Sequence, residues 1–93
     1  MLSLLTESEV QQALAEFLRA KRKDAKLSRD ALAQKSTVPA PTIKRFETTG
    51  QISLRQLLLL WQSLDDLQRV YDLTQPVQTS VPKTIEEVLK GGV

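Results

Sequence analysis

The 93-residue chain contains no cysteine and no histidine. Disulfides, the usual zinc sites and histidine-based acid–base catalysis are therefore excluded. Long hydrophobic runs are missing as well. The longest, residues 57–61, is far too short to span a bilayer, and the apolar start at residues 1–5 is too short for a secretory signal and lacks a basic leader. No stretch alternates as a strand would. Ser53, Thr42 and the pair Asp65 and Asp66 are the only candidate reactive groups, and none has a base or metal-ligand neighbour at useful spacing. These absences point to a non-enzymatic, cytoplasmic chain without a cofactor, long enough for one small core.

What is present is an uneven charge distribution. The whole chain carries 13 basic and 11 acidic residues, a bland +2. Residues 19–45 hold nine of the basic ones against Asp24 and Asp30, a net of +7, while the remainder nets −5. A concentrated basic block is what a phosphate-facing surface looks like, because neutralising phosphates releases condensed counterions. Lys21, Lys23, Lys26 and Lys35 are the candidate phosphate contacts within it, the competing reading being a solvated helix face.

Residues 27–47 overlap this block and read as two short helices joined by a tight turn, the second of them basic. Leu32, Val38, Ile43 and Phe46 supply the apolar positions of such a pair, and Ala33 the small residue at the closest approach. Ala40, Thr42, Lys44 and Arg45 then face outward. For Arg45 two roles stay open, a phosphate contact and an ion pair with Glu47. The implied partner is double-stranded DNA.

Helix signals extend to about residue 73. Thr6 with Glu9 forms a capping box ahead of a helix running to about Ala25, with Val10, Leu14, Phe17 and Leu18 as its buried stripe. Ser28 caps the second helix, Pro39 and Pro41 fall in the first turn of the third, and Gly50 stops it. Ser53 with Gln56 forms another box, opening a helix with Leu54, Leu57, Leu58, Trp61 and Leu64. A fifth helix, from about Asp65, carries Leu67, Val70, Tyr71 and Leu73. Leucines at four successive positions, 57–60, spread over more than one helical face, so Leu59 or Leu60 must meet something besides a minimal core. Either the fifth helix covers it, or Leu60, Leu64, Leu67, Val70 and Tyr71 form a dimer or partner contact.

Residues 10–73 resemble the lambda-repressor-like, Xre-type helix-turn-helix family, through Leu27, Ser28, Leu32, Ala33, Val38, Thr42, Ile43, Arg45 and Glu47. The resemblance implies an all-α, five-helix lambda-repressor-like helix-turn-helix domain over residues 1–73, followed by an extended C-terminal tail over residues 74–93. It further implies that Ala40, Pro41, Thr42 and Lys44 reach base edges while Ser28 and Arg29 anchor the DNA backbone. The family usually has glycine where Thr37 and Lys26 stand, and a β-branched residue such as Thr37 resists positive φ. Without a bidentate Asn, Gln or Arg in the first turn of the reader, base contacts fall to Lys44, the Thr42 hydroxyl and the apolar Ala40 or Pro41. A surface that small calls for two copies on a palindromic operator.

Residues 46–61 look like HipB-type antitoxins, the DNA-binding components of toxin–antitoxin operons whose toxin is a HipA-like kinase. What this likeness implies is an autoregulating homodimeric repressor, cytoplasmic and nucleoid-associated, that also docks the kinase, in one variant with an accessory antitoxin. A stand-alone repressor and a protein–protein adaptor that ignores DNA are the alternatives. In the tail, residues 74–83 read as a linker or short strand with Pro76 and Pro82. Thr84 with Glu87 then makes a capping box, with Ile85, Val88 and Leu89 on one face and Gly91 as a stop. So short a helix needs docking to persist. It is frayed, packed on its own domain, or a partner-binding segment that folds on contact.

Overall fold

The computed structural model describes residues 4–77. Among them are five α-helices, a single 3₁₀ turn and no strand: α1 Glu7–Asp24, α2 Arg29–Ser36, α3 Ala40–Thr49, α4 Leu54–Leu64, α5 Leu67–Tyr71, then the turn Asp72–Thr74. The expected tail helix with Ile85, Val88 and Leu89 lies outside the described residues.

Local chemistry accounts for most boundaries. Thr6 and Glu9 close the expected capping box on α1, side chain to backbone in both directions. The Ser28 hydroxyl accepts from the Ala31 N–H, and Asp66 accepts from the Gln68 N–H at the start of α5. At α4 the box is incomplete. Ser53 Oγ accepts from the Gln56 N–H, but its hydroxyl, rather than its backbone N–H, donates to the Gln56 side chain. Gly50 ends α3 at φ 78°, where α1 passes so close that a Cβ would stand 3.1–3.3 Å from Gln11, backbone included. The position demands glycine on both grounds.

Lys26 and Thr37 adopt the left-handed conformation, at φ 58° and 67°, without being glycine. Thr37 does so because the α2–α3 turn is held on both sides. Its N–H closes α2 on the Ala33 carbonyl, and the next N–H, of Val38, donates to the buried Ser36 hydroxyl. Backbone strain of this kind costs about 1–3 kcal/mol and persists only where the surroundings impose it.

Those surroundings are the core. Ala15 and Leu18 of α1, Leu32 of α2, Val38 of the turn, Ile43 and Phe46 of α3, and Leu60 and Trp61 of α4 form one buried cluster. Burying each large member contributes about 1.5–3 kcal/mol. Two expectations are corrected here. Leu60 is 1 % exposed and belongs to the core, so it cannot serve a dimer or partner contact. Leu57 and Leu59 pack half-buried against this core because α4 meets both α1 and α2, while Leu58 is half-buried and lines a surface hollow. Val10 leaves the expected buried stripe and is 44 % exposed, whereas Ala15 enters the core. The fifth helix is shorter than expected, since Asp65 ends α4 and Asp66 caps α5.

Candidate nucleic-acid interface

Two elements meet at the first turn of α3. Pro39 stands at its N-cap and Pro41 inside the first turn; no side chain caps this end and no acidic residue occupies the first turn. The other four α-helices each begin with a Ser, Thr or Asp hydrogen bond. The end of α3 thus presents the positive pole of its helix to solvent.

On one flank of this turn lies an open groove of about 740 Å³ lined by Arg22, Ser28, Arg29, Asp30, Ala40, Pro41 and Lys44. It gathers five of the seven expected DNA-contact residues: Ser28, Arg29, Ala40, Pro41 and Lys44. The other two, Thr42 and Arg45, lie on the opposite flank, in a cleft of about 490 Å³ completed by Pro41, Gln51, Ile52, Ser53 and Gln56. Pro41 lines both, so the start of α3 is a ridge between them. Lys23, Lys26 and Lys35 are exposed but line neither hollow. Lys21 faces elsewhere: it pairs with Asp65 at 3.5 Å and lies 5.8 Å over the Phe17 ring. It thus sits beside the packing of α1 against the end of α4, apart from both hollows.

The groove is braced by a buried ion triad. Arg22 Nε and Nη2 donate to Glu47 at 2.7 and 3.0 Å, Arg22 Nη1 donates to the Leu27 carbonyl at 2.8 Å, and Arg29 Nε donates to Glu47 at 2.9 Å. The Glu47 side chain is 3 % exposed. Burial opposes its ionisation, but the hydrogen bonds and charges of Arg22 and Arg29 together outweigh this and hold its carboxyl below the ordinary 4.5. One carboxylate therefore joins α3 to α1 and to the first residue of α2. Arg22 is fully engaged and structural. Arg29 gives its Nε to Glu47, and its side chain is half-buried rather than enclosed.

The expected ion pair of Arg45 with Glu47 is replaced by another partner, because Glu47 is taken by Arg22 and Arg29. Arg45 Nη2 donates to Gln51 Oε1 at 2.9 Å, tying the last turns of α3 to the loop before α4. Thr48 and Thr49 return their hydroxyls to the Lys44 and Arg45 carbonyls, closing the helix end. Sequence reasoning missed Arg22 as part of the groove wall, and it missed Gln51, Ser53 and Gln56 in the second cleft. For Ser53 and Gln56 the only signal was the capping pattern, which reads as local structure. Counting residues 19–47, so that Glu47 is included with the arginines it neutralises, the block nets +6. Among the described residues no group of three or more acidic side chains is placed to hold a metal ion.

Comparisons of the chain with protein-family models, with curated proteins and with solved structures returned no match.

Proposed function

We propose that this chain is a DNA-binding transcriptional repressor of the lambda-repressor-like class, with α2, the turn and α3 as its helix-turn-helix and the start of α3 as its reader. The observation that carries this reading is the groove that brings Ser28, Arg29, Ala40, Pro41 and Lys44 together beside an uncapped, positively poled helix end. A polyanion backbone suits that combination. Phosphate oxygens accept from helix N-termini, hydroxyls and guanidinium groups alike. Arg29 is pre-set for such a contact, since Glu47 fixes its Nε while its side chain stays only half-buried. Lys44, exposed on α3, is the candidate for a guanine edge, with Thr42 and the apolar Ala40 and Pro41 as lesser readers.

A single reader of this size discriminates weakly, which favours two copies on an inverted repeat. The antitoxin role, with a HipA-like kinase as partner and an accessory antitoxin in some systems, rests on the likeness of residues 46–61 to HipB-type proteins. Retention of fragmented genomic DNA by the purified protein tests both levels. Recovery of an inverted repeat upstream of its own gene establishes an autoregulating repressor, and the neighbouring reading frame identifies or removes the kinase. On that operator Lys44→Ala should cost about 1–3 kcal/mol of binding. A loss smaller than about twofold overturns the assignment of α3 as reader.

A further inference from the structure

Away from the basic groove, α1, α4 and α5 leave an apolar trench. One part, about 370 Å³, runs along Val10, Leu14 and Phe17, and a second, about 360 Å³, lies between Leu54, Leu58 and Leu73. Leu14, Trp61 and Arg69 line both, so the two parts adjoin at these side chains, where the Arg69 guanidinium lies over the Phe17 and Trp61 rings at 5.4 and 5.8 Å. Leu54 is 70 % and Leu73 82 % exposed, an amount of uncovered leucine that a small domain ordinarily spends on a contact.

We propose that the occupant is residues 84–89 of the same chain, docked as a two-turn amphipathic helix. The described chain reaches its end at Val77, four residues after Leu73, which itself lines the trench. The eight residue steps from Val77 to Ile85 span up to about 26 Å, enough to return along the trench. Its stretch along α1 from Val10 to Phe17 is about 10 Å long, the length of roughly two helical turns. Ile85, Val88 and Leu89 recur at the spacing of one helix face, and they supply branched side chains for the leucine-lined floor. A tether this short holds the segment at millimolar effective concentration, so a weak apolar contact suffices. This inference is independent of the DNA-binding reading.

Because the chain has no cysteine, Lys90→Cys takes a single nitroxide label in the full-length protein. Nuclear magnetic resonance should then show broadened signals for the amides of Val10, Leu14 and Leu73 and for the indole of Trp61, the only tryptophan. The broadening should persist on dilution, and Ile85→Asp with Leu89→Asp should abolish it while leaving the spectrum of α2 and α3 unchanged. Absence of broadening at these groups overturns the proposal. So does broadening confined to mixtures of labelled and isotopically distinct copies, which would assign the trench to a second molecule.

Discussion

Two carboxylates each gather two cations in this protein, and they do so in different surroundings. Glu47 binds Arg22 and Arg29 with its side chain 3 % exposed, uniting α1, α2 and α3. Asp65 binds Lys21 and Arg69 with its side chain 9 % exposed, uniting α1, α4 and α5. The partners separate the cases. Arg22 is itself buried, so removing Glu47 strands a desolvated cation, whereas Lys21 and Arg69 are 38 % and 59 % exposed and would rehydrate. The difference teaches that the number of ion pairs says little; what matters is whether the charge left behind can reach water.

That comparison can be broken from its strong end. Glu47→Ala should destabilise the fold by about 3 kcal/mol, the low end for a buried pair because Arg29 retains solvent contact. Chemical denaturation would measure it, and a loss no larger than that of an Asp65 variant would erase the distinction. Acid sharpens the same point. The folded Glu47 carboxyl titrates below its unfolded value of 4.5, so the stability it contributes is fully present above that value and is lost as pH falls through the folded pKa. Glu47→Gln should therefore flatten the dependence of stability on pH below about 4.5 while lowering the plateau above it.

Smaller effects follow. Arg29→Ala should cost about 1 kcal/mol, since Glu47 keeps the bidentate Arg22. Under the proposed DNA-binding function, the same variant should reduce the salt dependence of binding by close to one phosphate contact, readable as the slope of affinity against salt. Least of all, Asp65→Asn should lower the melting temperature by less than either variant above. The Asp66 N–H is the main reason Asp65 stays below its ordinary 3.8, with burial opposing and the charges of Arg69 and Lys21 adding to it. An asparagine oxygen still accepts from that N–H. Stability lost through Asp65 on acidification should appear only as pH falls below 3.8, the ordinary aspartate value, and should vanish in this variant.

The candidate site was legible to the extent that it is local. Ala40 and Lys44 were expected from the turn between two helices, Ser28, Arg29 and Pro41 from the family resemblance, and all five line one groove. Thr42 and Arg45 were expected beside them and instead occupy the far flank of α3. Successive residues of a helix point about 100° apart, so the outward side of α3 divides between two hollows. Glu47 was read as a neighbour for Arg45 because the two are close in sequence. Two residues along a helix do not face each other, and the carboxylate turns inward to residues 25 and 18 positions away.

By itself, the sequence determined the all-α class, the caps at Thr6, Ser28 and Ser53, and the stop at Gly50, because capping and backbone preference act within four residues. It also set the charge asymmetry that marks residues 19–45. Tertiary structure alone decided that Leu60 is core and Val10 is not, that Thr37 and Lys26 take positive φ, and that Lys21 serves Asp65. Each of these depends on which helix faces arrive at one place, and hydrophobic and ionic partners are chosen by that arrival, not by proximity along the chain.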